Sequence, residues 1–202
     1  MSYRKEKKYR VTRAEFNELK ISLLKSGMTP LYTTRVVNSI YFDSIDYQMY
    51  YGSEEGVLER RKVRIRWYND SKKFTLEKKF SSIEGRFKTT KKLKHINCAD
   101  EVHKYRPLDQ LYGILIPTLK VSYKRTYFAF KGTRITFDTN INYESVRAKN
   151  LIIHQDPEQV IEIKVPLETS DDFIETLVPY QTTRFSKYCR GLLMSEGQVS
   201  AV

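Results

Sequence analysis

Apolar and polar side chains alternate along most of this chain, and the alternation defines its elements. Over residues 3–11, Arg4, Glu6, Lys8 and Arg10 alternate with Lys5, Lys7, Tyr9 and Val11, which is the period of a β-strand. Thr12-Arg13-Ala14-Glu15 is a capping-box pattern. It opens a helix whose Phe16, Leu19, Leu23 and Leu24 recur at helical spacing. Gly27 stands where that helix should end, and Pro30 prevents its continuation. Residues 33–43, rich in β-branched and aromatic side chains, predict a second strand. A short helical turn is expected over residues 44–51.

The strongest pattern lies in residues 57–68. Arg60, Lys62, Arg64 and Arg66 fall on one face of a strand, and Val63, Ile65 and Trp67 on the other. Asn69-Asp70-Ser71 is turn chemistry, so residues 72–80 should return antiparallel with Thr75, Glu77 and Lys79 on a shared face. A turn over 81–85 leads to a strand over 86–93, with Arg86, Lys88, Thr90 and Lys92 on one face. Residues 98–116 suggest one or two short helices, with Pro107 near a helix start. Two strands over 118–130 and 133–143 join through a hairpin turn at Lys131-Gly132. In the second, Arg134, Thr136, Asp138 and Asn140 oppose Ile135, Phe137 and Ile141. A strand is expected around 151–154, and a clean one over 160–167, where Ile161, Ile163 and Val165 oppose Glu162 and Lys164. Ser170 or Thr169 caps a helix reaching about Val178. A last helix starts near Ser186 and carries Lys187, Tyr188, Leu192 and Leu193, and the tail after Gly197 is expected to fray.

Composition narrows the chemistry. The 202 residues carry a formal net charge of +12, yet 40% are hydrophobic, with 15 Tyr and 10 Phe. That aromatic content argues for a folded, strand-rich chain and against disorder. The surplus of cations selects an acidic partner: nucleic acid, an anionic membrane surface or a phosphate-rich small molecule. The two cysteines, Cys98 and Cys189, lie far apart without metal-ligand spacing and read as free thiols in a reducing compartment. No apolar run approaches the roughly 20 residues that span a bilayer, and the N-terminus has no apolar signal core. The expectation is one cytoplasmic domain over residues 1–202, which a partner protein can still hold at a membrane.

Alternation alone leaves two readings of the charged faces. They are wet, as in an ordinary sandwich, or they turn inward around something strongly negative. The charges favour the second reading. Glu-x-Lys occurs three times, as Glu6/Lys8, Glu77/Lys79 and Glu162/Lys164, and each pair shares a strand face. Carboxylate oxygens suit Mg²⁺ or Mn²⁺ that also grips phosphates. The same carboxylates can instead be salt-bridge partners of neighbouring cations, the reading preferred for Glu6 and Glu77. Arg60 and Lys62 can be rim charges rather than ligands, and Lys5 and Lys7 read as solvated. Amphipathic helices would cover the outward apolar face.

The ordered set Arg4-x-Glu6-x-Lys8-Tyr9, Ser39-Ile40-Tyr41-Phe42-Asp43, Arg61-Lys62-Val63-Arg64-Ile65-Arg66-Trp67-Tyr68, Leu76-Glu77-Lys78-Lys79, Val121-Ser122-Tyr123-Lys124-Arg125, Ile135-Thr136-Phe137-Asp138-Thr139, Val160-Ile161-Glu162-Ile163-Lys164 and Ser186-Lys187-Tyr188 resembles the VTC domain. That domain belongs to the triphosphate tunnel metalloenzymes, the CYTH-like superfamily. The resemblance implies an α+β, mainly β fold: an antiparallel, eight-stranded closed tunnel barrel with a charged lumen and helices packed outside. It implies an inorganic polyphosphate polymerase that transfers the γ-phosphoryl of ATP to a growing chain, with Mn²⁺ or Mg²⁺ held by Glu162. Lys8, Arg64, Arg66, Lys79, Lys88, Arg125, Arg134, Lys164, Ser186 and Lys187 are the implied substrate-binding residues, and Arg64, Arg66, Arg125 and Lys187 the implied catalytic ones. The expected partners are ATP and polyphosphate, without nucleic acid.

Arg4 departs from the Glu-x-Glu-x-Lys opening usual in the hydrolases of the superfamily, exchanging a carboxylate for a cation. This favours the polymerase branch. Two alternatives stand beside it: a triphosphatase acting on a small triphosphate, and a non-catalytic module binding polyphosphate or RNA.

Overall fold

The computed structural model describes residues 4–83, 85–148 and 151–196, without the side chains of Arg4 and Arg86. Tyr3, expected to open the first strand, and the tail from Gly197, expected to fray, lie outside the described residues. In chain order the elements are β1 (Arg4–Val11), α1 (Arg13–Lys25), β2 (Thr29–Asp43), α2 (Gln48–Glu55), β3 (Arg60–Tyr68), β4 (Phe74–Ser82), β5 (Gly85–Leu93) and α3 (Ala99–Lys104). There follow β6 (Leu108–Asp109), β7 (Gly113–Ile114), β8 (Ile116–Phe130), β9 (Thr133–Ser145), β10 (Ile153–Gln155), β11 (Gln159–Pro166), α4 (Asp171–Leu177) and α5 (Lys187–Glu196). No helix among the described residues is long and apolar enough to cross a membrane.

The fold is mainly antiparallel β. Strands of the main sheet pair in the order β1-β11-β9-β8-β2-β3-β4-β5, with β10 on β9, while β6 and β7 form a separate hairpin. Among the described residues the ladder is therefore a path with two end strands, where a closed ring was expected from the sequence. On the end strand β5, Lys91 and Lys92 are exposed, and charged side chains on an edge oppose added pairing.

The chain divides into two compact units. The first comprises Met1–Val36, Tyr123–Ile141 and Asp156–Phe185. Its core joins Phe16, Leu19 and Leu23 of α1 and Ile174 and Leu177 of α4 to Ile135 and Phe137 of β9 and Ile161, Ile163 and Val165 of β11. Each fully buried side chain of this size contributes roughly 1.5–3 kcal/mol. Leu24, counted with that stripe by spacing, turns out 42% exposed. Thr12 accepts from the Glu15 backbone N–H while the Glu15 carboxylate accepts from that of Thr12, so the capping box forms. Helices thus cover the apolar face of these strands and leave the opposite face to Glu6, Lys8, Glu162 and Lys164.

The second unit comprises Val37–Ser122, Asn142–Gln155 and Ser186–Val202. Ile40, Phe42, Val63, Ile65, Trp67, Phe74 and Leu76 of β2, β3 and β4 form its core with Met49 of α2 and Val102 of α3. The expected alternation of β3 holds, with Val63, Ile65 and Trp67 buried between partly exposed cations. Of the one or two short helices expected over 98–116, one forms, and the helix start expected near Pro107 does not. Only α3 forms, and β6 and β7 follow it. Pro107 starts no helix; its carbonyl accepts from the Leu115 backbone N–H at 2.9 Å, and Gly113 at φ 71 supplies the left-handed turn residue.

Two glycines make opposite predictions. A Cβ on Gly191 of α5 would sit 2.5 Å from Tyr143 Cδ1 and 2.6 Å from Leu119 Cδ2. Gly191→Ala should therefore lower unfolding free energy by about 1–3 kcal/mol through overpacking. A Cβ on Gly52 of α2 meets nothing within 4 Å, so Gly52→Ala should add about 0.5–1 kcal/mol. Urea denaturation of both variants checks the pair.

Candidate functional site

In the second unit, cross-strand register assembles a cationic face. Lys62 pairs with Lys79, and Lys79 with Lys88, so three lysines stand side by side across β3, β4 and β5. Like charges in direct register are unfavourable. The next row reads Tyr41, Arg64, Glu77 and Thr90, and the third Ser39, Arg66, Thr75 and Lys92. Glu77 is the one carboxylate in these rows, and it is 1% exposed. Arg64 Nε donates to its Oε2 at 2.8 Å, Arg66 Nη2 to its Oε1 at 2.5 Å and Lys88 Nζ to its Oε1 at 2.6 Å.

Those contacts set the protonation states. Burial pushes the Glu77 carboxyl up, but Arg64, Arg66 and Lys88 outweigh it and hold it down at about 2. At Lys88 the balance is reversed: burial outweighs Glu77 and lowers the ammonium. Arg64 Nη1 also donates to the Tyr41 hydroxyl at 3.0 Å. Burial raises that hydroxyl, yet Arg64, Lys187 and Lys62 together bring it below its ordinary value. Lys62 Nζ donates to Ser186 Oγ at 2.8 Å, and Ser186 in turn accepts from the Cys189 backbone N–H at the start of α5. Among the described residues of these rows, Lys62, Arg64, Arg66, Lys79, Lys88 and Lys92 are the cations and Glu77 the carboxylate, with Lys187 a further cation at the start of α5, a composition that suits an anion.

The first unit holds a different cluster. Glu6 of β1, Lys164 of β11 and Arg134 of β9 share one cross-strand row, and Lys8, Glu162 and Thr136 the next. Lys164 Nζ lies 3.0 Å from both Glu6 Oε2 and Glu162 Oε1, and Lys8 Nζ 3.5 Å from Glu6 Oε1. Arg125 of β8 grips Asp138 with a two-pronged fork, Nε to Oδ1 at 2.6 Å and Nη2 to Oδ2 at 2.7 Å, and passes 3.7 Å from Glu162. Burial works against the Glu162 carboxylate, but Arg125, Lys164 and Lys8 hold it well below the usual range. Burial likewise opposes the Arg125 charge, and Asp138 raises it well above its ordinary value.

Here the carboxylates Glu6, Asp138 and Glu162 balance the cations Lys8, Arg125 and Lys164. Glu162 Oε1 is buried, with the Lys164 ammonium 3.0 Å away but no further hydrogen-bond partner among the described residues. No group of three or more acidic, histidine or cysteine side chains suited to a metal occurs among the described residues. Glu162, with Glu6 beside it, fits a hard divalent cation of the kind that takes one or two carboxylates and completes its shell with water and phosphate. Glu77 fits such a cation poorly, because Arg64, Arg66 and Lys88 already claim its two oxygens.

The implied site residues therefore fall into two groups. Arg64, Arg66, Lys79, Lys88, Ser186 and Lys187 belong to the cationic face, while Lys8, Arg125, Arg134, Glu162 and Lys164 belong to the balanced cluster. Arg60 and Lys62 differ from one another: Arg60 donates to the Gly56 and Val57 carbonyls, whereas Lys62 joins the cationic face. Lys5 and Lys7, expected to be solvated, pair with Asp171 of α4 at 3.9 and 3.3 Å. Asp109 had no expected role. It is buried and binds Arg61 at 2.7 Å and Lys78 at 3.4 Å. Parity held the clue, since Arg61 shares the Val63 face and Lys78 the Leu76 face, and cations on an apolar face need a buried counter-charge.

The model of a family described as the VTC domain matches residues 3–195. Among solved structures, a Pyrococcus horikoshii protein is 18% identical with a TM-score of 0.53, covering 95% of this chain and 98% of its own. A Bacillus halodurans protein provisionally assigned as an adenylate cyclase is 17% identical, with a TM-score of 0.55 and coverage of 90% and 92%. The Hippeastrum protein HpAC1, described as an adenylyl cyclase candidate with a dominant triphosphatase activity, is 15% identical, with a TM-score of 0.53 and coverage of 92% and 94%. At these identities the likeness concerns the fold. No curated protein matches the chain.

Glu77 supplies a pH prediction. Its folded-state value of about 2 lies below the ordinary 4.5. The stabilisation is therefore complete above the higher value and lost as pH falls toward the lower. It amounts to at most about 3 kcal/mol, reduced by the desolvation of Lys88. Glu77→Gln leaves three cations facing no counter-charge and should cost roughly 3–5 kcal/mol at pH 7. Urea midpoints measured from pH 7 to pH 2 should fall more steeply through this window for wild type than for the variant.

Proposed function

The chain belongs to the VTC-domain family, and from that premise we propose that it is an inorganic polyphosphate polymerase using ATP. The surplus of cations over the single buried Glu77 carries the reading, since such a face is stabilised by a ligand with several closely spaced negative charges. In the reaction a terminal oxygen of the acceptor phosphate chain attacks the γ-phosphorus of ATP. The bond from that phosphorus to the β–γ bridging oxygen breaks, ADP leaves, and the chain is one phosphate longer. Such a transfer needs positioning and charge neutralisation more than covalent help, which agrees with the absence of a nucleophile motif.

Each residue has a role in this scheme. Arg64 and Arg66, fixed by Glu77, present their remaining N–H groups to equatorial phosphate oxygens. Lys62, Lys79, Lys88 and Lys187 act as point charges along the phosphates, and Ser186 orients Lys62. Glu162, with Glu6, would hold Mg²⁺ or Mn²⁺, which when bound supplies further neutralisation at phosphate oxygens. Arg125, locked by Asp138, keeps Glu162 ionised, and Lys8 and Lys164 hold the carboxylates apart. The Arg4-x-Glu6-x-Lys8 opening has one carboxylate fewer than the hydrolase pattern, which favours a phosphate acceptor over water. The activity described for the Hippeastrum protein supports a second reading, a triphosphatase, in which water takes the acceptor's place.

Incubation with ATP and Mn²⁺ or Mg²⁺, with electrophoresis for polymer and assays for ADP and free phosphate, separates the readings. Polymer formed in step with ADP is the expected result. Free phosphate equal to ADP, with no polymer, would identify the triphosphatase, and turnover of neither kind would remove both. Arg64→Ala and Glu162→Ala should each lower the rate by roughly a hundredfold or more.

A further inference from the structure

One cleft of the first unit has a composition that a chain of phosphates alone does not require. Its volume is about 270 Å³, and Leu31, Tyr32, Arg134, Lys164, Val165 and Pro166 line it together with the β8–β9 hairpin at Gly132 and Thr133. The lining side chains are of two chemistries. Arg134 stands across from Lys164 in strand register, a like-charge pair, and its Nε is buried without a hydrogen-bond partner among the described residues. Lys164 is engaged by Glu6 and Glu162. A phosphate oxygen would satisfy the Arg134 guanidinium as Lys164 cannot.

Leu31, Tyr32, Val165 and Pro166 supply apolar and aromatic lining. Leu31 is 38% and Tyr32 52% exposed. The Tyr32 ring is fixed rather than loose: Tyr127 meets it edge-on with centroids 5.6 Å apart, and the Arg35 guanidinium lies over it at 5.6 Å. A half-exposed ring held by an aromatic edge and a cation is a stacking platform, and every nucleobase has a π-face to place on one. An anion-seeking guanidinium next to such a platform matches a molecule that joins a base to phosphates. Inorganic polyphosphate has only the second part.

We propose that this cleft seats the nucleoside end of the triphosphate, with the base against Tyr32 and a phosphate oxygen on Arg134. The inference rests on the reading of the chain as a triphosphate-using protein and adds the part of the substrate that distinguishes ATP from inorganic tripolyphosphate. It assigns Tyr32, outside the cationic residues, as a specificity-determining side chain.

Isothermal titration of the full chain with ATP and with tripolyphosphate, in the presence of Mg²⁺, tests this directly. Tyr32→Ala should weaken ATP binding by roughly tenfold, the scale of one stacked base, and leave tripolyphosphate affinity unchanged. Arg134→Gln should weaken both ligands. Tyr32 is exposed, so its variant should fold, as thermal melting will verify, and it decides the matter even if Arg134→Gln does not fold. If wild type binds both ligands and Tyr32→Ala shifts neither, or shifts both equally, the nucleoside assignment is wrong while the triphosphate reading stands. If wild type binds neither ligand, the triphosphate reading fails and the assignment falls with it.

Discussion

A buried carboxylate makes the cationic strand possible. Three cations, Arg64, Arg66 and Lys88, converge on Glu77, and without it they would lie partly desolvated with no counter-charge, at a cost of several kcal/mol. With it, β3, β4 and β5 can pair while presenting charge on one face and Val63, Ile65 and Leu76 on the other. Neutralisation is incomplete, because Lys62, Lys79 and Lys88 still stand in one row. The face is stable enough to fold and remains positive enough to favour an anion.

The balanced cluster solves the same electrostatic problem differently. Asp138 fixes Arg125 in a bidentate grip, and Lys8 and Lys164 bridge Glu6 and Glu162. Lys8, Arg125 and Lys164 each have an acid close by, and Arg134, opposite Lys164, adds a further cation, so this part of the sheet carries a smaller surplus than the cationic face. What stands out is Glu162: buried, held well below the usual carboxylate range by Arg125, Lys164 and Lys8, and with Lys164 as the one close cation on its Oε1 among the described residues. Conventional stability needs no such oxygen, whereas a hard cation does.

Much of this was readable from residue order. Strand alternation placed Arg64, Arg66, Glu77 and Lys88 on matching faces, and the Asn69-Asp70-Ser71 turn made the β3–β4 pairing local. Glu77 as an ion-pair partner followed from the density of nearby cations. Asp109 escaped because it lies 48 positions from Arg61 and on a two-residue strand too short to leave a periodic signal. The β6–β7 hairpin escaped for the same reason, since Pro107 and the scattered apolar residues around it fit a helix start equally well. The Asp171 partner of Lys5 and Lys7 sits on a helix whose docking no local pattern specifies.

The sequence by itself determined the strands, the two faces of each and the family, because a period of two and the identity of alternate residues are local properties. It also carried the ordered set of motifs that identifies the VTC domain across nearly the whole chain. Only the tertiary structure decided which charges meet. Register across β3, β4 and β5 chose Glu77 over the other carboxylates as the common partner of three cations, and pairing of β1 with β11 set Glu6 beside Lys164. It left Arg134 opposite a lysine rather than an acid. Coulomb energies depend on separations of a few ångströms between residues far apart in the chain, and those separations are set by strand pairing, not by residue order.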